Sequence, residues 1–273
     1  MRLLLFLSLL LSFCSTACRE DSKKSNDSKT ETISTPPLIN YAVVNVLPHD
    51  TSLFTEGLLV YNGKLFESTG SPEQNTHTKS AIGIIDLKTG KFDKKIELDR
   101  SKYFGEGIVI LRDTLYQLTY KNQLGFIYNV KSFKEIGTFK FSNNEGWGFT
   151  TNGSELIMSD GTENLTFLKA GNMKPVKTLF VTENETPLKN LNELEFINGF
   201  IYANVFYTNM IVKIDPSNGK VVGKLDLTLL STDAINRNPN CDVLNGIAYD
   251  PQSNSMYVTG KFWPNIYQID FSH

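Results

Sequence analysis

The most regular feature of the chain is a hairpin pattern that occurs five times. Residues 57–68 show it clearly: alternating apolar positions, an Asn62-Gly63 pair, and alternating apolar positions again. Alternation with a period of two is typical of a half-buried strand, and Asn-Gly is a strong turn signal between two strands. The other copies begin at Gly107, Gly148, Glu193 and Gly246. The pattern therefore predicts five β-hairpins at a spacing of about 47 residues, which is the length of one propeller blade.

Each hairpin is followed by further apolar segments that predict more strands. Third strands are expected in all five repeats, at 82–87, 125–130, 165–168, 211–214 and 266–270. Fourth strands are expected in the first four repeats, at 92–98, 135–141, 176–181 and 221–227. The fifth repeat reaches the end of the sequence without one, but an additional strand is expected at 41–47, before the first hairpin.

The predicted fold is therefore all-β: a five-bladed β-propeller in which the N-terminal strand completes the last blade. A β-sandwich and a solenoid are weaker alternatives, because a sandwich needs no fivefold repeat and a solenoid needs no closing strand. No segment of useful length shows the period of an amphipathic helix. We expect the propeller domain to span residues 39–273.

Composition narrows the range of partners and cofactors. The 27 basic residues nearly balance the 29 acidic ones, so the charge gives no reason to expect a nucleic-acid partner. Three His and three Cys are too few for a zinc framework of several ligands. The sequence also lacks the nucleophile-elbow, P-loop and zinc-protease motifs.

The N-terminus has the composition of a targeting segment. Arg2 precedes an apolar stretch, which ends at Ser15-Thr16-Ala17-Cys18. This arrangement resembles a bacterial lipoprotein signal, residues 1–17, with cleavage before Cys18 and lipid on its sulfur. The alternative is an ordinary secretory signal that is cleaved near Ala17.

Residues 18–38 are polar and predict a flexible tether between the lipid and the domain. Under this interpretation the protein is extracytoplasmic and lipid-anchored to a bacterial membrane, on its periplasmic or cell-surface face.

The repeat also indicates where a functional site would lie. In a propeller the first strand of each blade lines the central channel, so equivalent positions form rings around the axis. The positions just before the first strands are Glu56, Glu106, Trp147, Asn192 and Asn245. The positions that follow the second strands are Gly70, Tyr120, Gly161, Phe206 and Lys261. Any one of these could merely cap a strand, but chemically different polar groups at equivalent sites together indicate a function at one mouth of the channel.

At these same positions the chain resembles the plant-type glutaminyl-peptide cyclotransferases, also called glutaminyl cyclases. The matching motifs lie between about residues 41 and 271 and are in register throughout. They are Pro48-His49-Asp50, Phe54-Thr55-Glu56-Gly57, Glu67-Ser68-Thr69-Gly70, Phe104-Gly105-Glu106-Gly107, Glu145-Gly146-Trp147-Gly148, Met158-Ser159-Asp160-Gly161, Leu191-Asn192-Glu193-Leu194-Glu195, Tyr202-Ala203-Asn204-Val205, Asp242-Val243-Leu244-Asn245-Gly246 and Thr259-Gly260-Lys261.

The resemblance implies a five-bladed propeller that converts the N-terminal glutamine of peptides and proteins into pyroglutamate and releases ammonia. It also implies that no metal takes part in catalysis, while a structural cation elsewhere on the propeller stays open. We expect the protein to be a monomer.

Roles in the family carry over to individual positions. The resemblance implies that Glu106 is the catalytic carboxyl and that the substrate pocket includes Phe104, Trp147, Asn192 and Lys261. Three further pocket positions depart from the family pattern, which usually has Gln, Trp and Trp where this chain has Glu56, Tyr120 and Phe206. Asn245, from the ring argument above, completes the expected substrate-binding set.

The reaction needs residues of these types. The substrate's α-amine attacks its own side-chain amide. The amine must lose a proton and the departing nitrogen must gain one, and a single carboxyl can carry out both transfers. This is the role expected of Glu106. Asn192 and Lys261 are candidate donors to the developing oxyanion. The aromatic residues would enclose the glutamine side chain and exclude water.

Two questions stay open at this point. Glu56 either shares its titration with Glu106 across the channel mouth, or pairs with Lys261 or points into solvent and leaves Glu106 unaffected. In addition, a lipid-anchored propeller that binds peptide or glycan without turnover is the alternative to an enzyme.

Overall fold

The computed structural model describes residues 35–271. The chain divides into two units, Met1–Ile33 and Ser34–His273, and the described residues belong to the second. The predicted signal segment, the lipidation site Cys18 and all but the last four residues of the predicted tether lie outside the described residues and stay predictions. No helix in the described part of the chain is long and apolar enough to cross a bilayer.

Five antiparallel sheets of four strands form the domain. The chain begins with β1 (Tyr41–Pro48). The first sheet contains β2 (Thr55–Tyr61), β3 (Lys64–Thr69), β4 (Ala81–Ile85) and β5 (Phe92–Glu97). The second contains β6 (Gly105–Leu111), β7 (Thr114–Thr119), β8 (Leu124–Asn129) and β9 (Glu135–Lys140). The third contains β10 (Phe149–Thr151), β11 (Glu155–Ser159), β12 (Asn164–Lys169) and β13 (Lys174–Phe180).

After the third sheet comes a short hairpin of β14 (Thr182–Glu183) and β15 (Thr186–Pro187). The fourth sheet contains β16 (Leu191–Ile197), β17 (Phe200–Val205), β18 (Met210–Ile214) and β19 (Val221–Asp226). The helix α1 (Thr228–Arg237) follows it. The last sheet contains β20 (Leu244–Asp250), β21 (Ser255–Gly260) and β22 (Asn265–Phe271) together with β1.

The N-terminal strand completes the last sheet, as the sequence predicted. β1 runs antiparallel to β22, and the register pairs Tyr41 with Phe271 and Pro48 with Asn265. The two ends of the domain are therefore joined by hydrogen bonds within a single blade. This confirms the five-bladed propeller and the predicted closing strand.

The core lies between the blades. Five separate clusters of buried apolar side chains each combine residues of two neighbouring sheets, and together they pass once around the ring. In one of them, Leu65 of the first blade packs with Tyr257 and Ile266 of the last. Burial of each large apolar side chain contributes about 1.5–3 kcal/mol, so these interfaces hold the inner strands at fixed positions around the channel.

The helix α1 corrects the expectation that the chain contains no helical segment. Leu227, Leu230 and Ala234 are buried, at the spacing of three and four residues that places them on one side of a helix. Leu229 and Ile235 are apolar but exposed, so they obscure this stripe in the sequence. The fold is thus nearly all-β, with one short helix between the fourth and fifth blades.

Candidate active site

A cavity of about 160 Å³ opens at one mouth of the central channel. Eight of the nine residues that line it belong to the set selected from the sequence. The lining comprises Phe54, Glu56, Phe104, Glu106, Tyr120, Trp147, Asn192, Phe206 and Lys261. The structure thus brings together residues that are up to about 200 positions apart in the chain.

Two structural positions of the blade supply these side chains. Glu56, Glu106 and Asn192 lie at the beginning of β2, β6 and β16, while Lys261 directly follows β21. The register between the first and second strands shifts at these positions, namely between Thr55 and Gly57, Gly105 and Ile108, Leu191 and Leu194, and Leu244 and Ile247. Such bulges re-aim side chains next to functional sites. Repeated in four blades, the bulge places first-strand side chains at the channel mouth.

The centre of the site is a buried carboxyl pair beside a lysine. Lys261 Nζ donates to Glu56 Oε1 at 2.6 Å, and both side chains are almost completely buried. The carboxyls of Glu56 and Glu106 are hydrogen-bonded to each other. Glu56 therefore pairs with Lys261, as one of the two open possibilities expected, but it also interacts with Glu106, which that possibility had left unaffected.

Burial raises the pKa of both carboxyls, because it disfavours their charged forms. The pKa of Glu106 is raised well above its ordinary value, since the neighbouring charge of Glu56 adds to the effect of burial. For Glu56, the opposite charge of Lys261 limits the rise in pKa. The arrangement favours one proton on the pair, carried by Glu106, with Glu56 as the carboxylate.

Asn245 was expected to bind substrate, but it is not among the residues that line the cavity. Its fully buried side chain lies behind Glu56, where Nδ2 donates to the carbonyl of Thr55 at 3.1 Å and to Glu56 Oε2 at 3.3 Å. Asn245 therefore positions the Glu56 carboxylate from the side opposite to Lys261 Nζ, on the other carboxylate oxygen.

Asn192 presents a carboxamide with unused hydrogen-bonding capacity. The side chain lines the cavity, and its Oδ1 is buried without a hydrogen-bond partner among the described residues. Buried polar atoms are rarely left unpaired in a folded protein. The carboxamide is therefore available to a bound ligand.

Aromatic rings form the remaining walls. The ring of Trp147 is 5.4 Å from that of Phe206, and the ring of Phe104 is 5.9 Å from that of Tyr120, measured between centroids. Two glycines make room for these walls. A Cβ at Gly70 would lie 2.2 Å from the ring of Phe104, and one at Gly161 would lie 2.7 Å from that of Trp147. The glycines after the second strands of the first and third blades thus allow an aromatic ring to pack directly on the backbone.

Phe54 is the lining residue that the sequence reasoning missed. Its ring lies 4.2 Å from Lys261 Nζ, at the distance of a cation–π contact, and edge-on to Phe104 at 6.2 Å. The repeat contained a signal for it. Phe54 precedes Glu56 by two residues, just as Phe104 precedes Glu106 on the next blade.

One buried histidine has a structural environment. His49 is buried, with Nε2 2.9 Å from Glu67 Oε2 and Nδ1 2.8 Å from the carbonyl oxygen of Trp263. Within residues 35–271 no group of three or more His, Cys, Asp and Glu side chains is placed to hold a metal ion.

Comparisons with known proteins agree with this site. The family model described as glutamine cyclotransferase matches residues 9–271. The chain is 38% identical over 229 residues to a glutaminyl-peptide cyclotransferase of Arabidopsis thaliana, a match that covers 83% of this chain and 70% of the plant protein. It also resembles the crystal structure of Myxococcus xanthus glutaminyl cyclase, with a TM-score of 0.78, 31% identity, and coverage of 87% of this chain and 98% of the other. The chain belongs to the glutamine cyclotransferase family.

Proposed function

We propose that the protein is a glutaminyl-peptide cyclotransferase, which converts an N-terminal glutamine residue into pyroglutamate and releases ammonia. Membership of the family and 38% identity to the Arabidopsis enzyme support this activity. The observation that carries it is the pair of buried carboxyls, Glu106 and Glu56, at an aromatic cavity with an adjoining lysine. These features do not favour the alternative of a propeller that only binds peptide or glycan.

The cavity suits an intramolecular reaction. The α-amine nitrogen of the substrate forms a bond to its own side-chain amide carbon, and the bond from that carbon to the amide nitrogen breaks. Holding the glutamine residue in the folded-back conformation therefore supplies much of the acceleration. Phe104, Tyr120, Trp147 and Phe206 restrict the space to a single side chain and exclude water that would hydrolyse the amide.

Glu106 is the proton carrier in this mechanism. The attacking amine loses one proton as the ring closes, and the departing NH2 gains one as it leaves, so the two transfers balance. Because Glu106 carries the proton of the carboxyl pair, it donates to the departing nitrogen and recovers a proton from the amine. The negative charge on Glu56 stabilises the proton on Glu106, and Lys261 and Asn245 hold Glu56 in place.

Lys261 and Asn192 are the donors that we assign to the oxyanion. Lys261 has three N–H donors and uses one for Glu56, so others remain for the substrate oxygen. Asn192 lines the cavity and would donate through its Nδ2, while its unpaired Oδ1 can accept from an N–H of the substrate. Donors that are fixed before the reaction stabilise the developing charge at little cost in reorganisation.

The test of the activity is direct. The purified protein should release ammonia from a Gln-initiated peptide, and the peptide should lose the mass of one ammonia. An otherwise identical peptide that begins with Asn is the control, because its shorter side chain would have to form a four-membered ring. EDTA should not change the rate, since the proposed mechanism uses only side chains. Absence of ammonia release from the Gln peptide would refute the activity.

We also propose that the protein is an extracytoplasmic lipoprotein anchored through Cys18, and that it acts as a monomer. The composition of residues 1–38 supports the anchor, and one chain supplies every residue that lines the cavity, which supports a monomer. Cys18→Ser should move the protein from the membrane to the soluble fraction, whereas the control Cys241→Ser should stay with the membrane. Retention of the Cys18→Ser protein after a salt wash would contradict the lipid anchor.

A further inference from the structure

A second cavity, which we call the side groove, lies beside the catalytic cavity. It measures about 510 Å³ and is lined by Thr51, Asn75, His77, Asn238, Asn240 and Phe262. Its volume falls within the range of roughly 300–1,000 Å³ that is typical of ligand sites. None of its residues belongs to the proposed catalytic machinery.

The side groove shares a wall with the catalytic cavity. Phe262 lines the groove and directly follows Lys261, which lines the catalytic cavity. The rings of Phe262 and Phe54 pack with their centroids 5.1 Å apart, and Phe54 lines the catalytic cavity. This pair of rings therefore forms part of the wall between the two spaces.

Two of the loops that border the groove are attached to catalytic-cavity residues. The loop after β3 starts at Gly70, against which Phe104 packs. In the loop before β20, the Asp242 amide donates to the Lys261 carbonyl at 2.7 Å, and the Lys261 amide donates to the Val243 carbonyl at 3.0 Å. The groove therefore has a fixed position relative to Lys261.

The lining of the groove has the chemistry of a peptide-binding surface. Asn75 and Asn240 contribute carboxamides, each of which offers donors and an acceptor. Asn238 supports the wall, because its Nδ2 donates to the Phe262 carbonyl at 2.8 Å and its Oδ1 accepts from the Asn240 amide at 3.2 Å. A peptide backbone presents one N–H and one C=O at nearly every residue, so it can pair with such groups whatever its side chains. The residues that line the groove in the described chain include no carboxylate and no lysine or arginine. His77 and Phe262 add aromatic surface for an apolar side chain, with ring centroids 6.5 Å apart.

We propose that the side groove binds the two or three residues that follow the N-terminal glutamine of the substrate. This inference rests on the proposed cyclotransferase activity, which requires the substrate chain to leave the small catalytic cavity. An uncharged, carboxamide-lined groove beside that cavity accepts many following sequences, because it reads the backbone rather than side-chain charge.

Another rim of the site offers a different exit. Tyr207 is 77% exposed, has a left-handed backbone with φ of 64°, and its ring centroid lies 4.0 Å from that of Phe206. A substrate that left over this residue would pack on its ring and would not enter the side groove. The experiment must therefore compare the two exits.

The test uses substrate length. For each variant, kcat/KM is measured on glutaminamide, which has no following residue, and on a five-residue uncharged peptide that begins with Gln. We expect the double variant His77→Ala/Asn240→Ala to lower the ratio of peptide to amide kcat/KM about fivefold to fiftyfold, because it removes a hydrogen-bonding carboxamide and the imidazole ring. Asn236→Ala, an exposed residue of α1 outside the groove, is the matched control and should leave the ratio unchanged.

Each other outcome overturns a definite part of the proposal. A ratio in the double variant equal to that of the wild type would refute the side groove as the peptide site. If Tyr207→Ala lowers the ratio of peptide to amide kcat/KM and the double variant does not, the peptide leaves over the other rim. Wild-type protein that turns over neither substrate would refute the cyclotransferase activity itself, so the two failures are distinguishable.

Discussion

The channel contains two sets of buried carboxyls that differ in what surrounds them. Glu56 and Glu106 lie at the mouth, bonded only to side chains, and open onto the catalytic cavity. Glu193 lies one step deeper, and its two oxygens accept from the backbone amides of Leu58 at 3.2 Å and Ile247 at 2.8 Å. These amides lie two positions farther along their strands than Glu56 and Asn245, and they belong to the first and fifth blades.

Glu195, farther along the same strand as Glu193, has a similar environment. Its Oε1 accepts from the backbone amide of Tyr249 at 2.9 Å, and its Oε2 accepts from the Thr150 hydroxyl at 3.3 Å. Glu193 and Glu195 therefore join the fourth blade to its neighbours and across the channel. In the described chain the carboxyls of Glu56 and Glu106 accept no such bond from a backbone amide.

The difference teaches what distinguishes a catalytic carboxyl from a structural one in this fold. Burial raises the pKa of carboxyls in both sets, so a raised pKa alone does not identify the site. Glu193 uses both oxygens to satisfy backbone donors of other blades. Glu106 is held by a partner carboxyl and faces a cavity that accommodates a ligand. The open cavity and the lack of backbone partners mark the catalytic group.

The largest effect should follow from removal of the proton carrier. Glu106→Gln keeps the shape and the hydrogen bonding of the side chain but cannot transfer a proton. General acid–base catalysis contributes typically 10²–10⁴-fold, so we expect kcat to fall by about that factor while the thermal unfolding temperature changes little. A variant that keeps kcat within about threefold of the wild type would show that Glu106 is not the carrier.

The matched substitution in the deeper set should lower the stability of the protein and should affect kcat much less. In Glu193→Gln the new NH2 group must face the backbone N–H of either Leu58 or Ile247, and that amide loses its acceptor. An unsatisfied buried donor costs about 1–3 kcal/mol, which denaturant unfolding would detect. The kcat of the folded fraction should fall far less than in Glu106→Gln. Unchanged stability in Glu193→Gln would remove the distinction between the two sets.

Glu195 predicts how stability depends on pH. Burial raises its pKa to about 8, so the folded protein holds a proton that the unfolded chain releases near its ordinary value of about 4.3. The contribution of Glu195 to the free energy of unfolding is therefore fully present below the pKa of the group in the unfolded chain. It is lost as the pH rises toward 8, the pKa of the group in the folded protein. Measurements of the free energy of unfolding across this range should show a decline that is smaller in Glu195→Gln. The same decline in both proteins would assign the effect to other groups.

Much of the fold was predictable because its information is local and repeated. Alternation and turn residues within about 50 positions marked each blade, and the count of strands assigned β1 to the last sheet. The helix α1 was missed because exposed Leu229 and Ile235 hide its apolar stripe.

The candidate site followed from equivalence between blades, because this equivalence predicts Glu106, Trp147 and Asn192 at one mouth from the sequence alone. What the repeat could not supply were contacts across the channel. The partners of Glu193, Leu58 and Ile247, are 135 and 54 residues away in sequence, and no pattern selects their amides. The side groove was unpredictable for the same reason, since it depends on how several loops lie beside Lys261.

The smallest expected effect tests the contact that joins the two carboxyls at the mouth. Glu56→Gln removes a negative charge beside Glu106 and leaves Lys261 without its carboxylate partner. Both changes lower the pKa of Glu106, because a neighbouring negative charge raises it and a neighbouring positive charge lowers it. In the pH profile of kcat/KM, the limb that belongs to Glu106 should therefore move to lower pH, while the limb of the substrate's α-amine stays in place.

Activity of Glu56→Gln at its optimum should fall by less than the 10²-fold expected on loss of an acid–base group, because Glu106 keeps its carboxyl. Glu145→Gln is the graded control. The charge of Glu145 also raises the pKa of Glu106, but by less than the charge of Glu56 does, so its removal should move the same limb less far. If the profile of Glu56→Gln superimposes on that of the wild type, the two carboxyls titrate independently. In that case Glu56 serves only to hold Lys261, and the mouth of the channel contains one catalytic carboxyl and one structural ion pair.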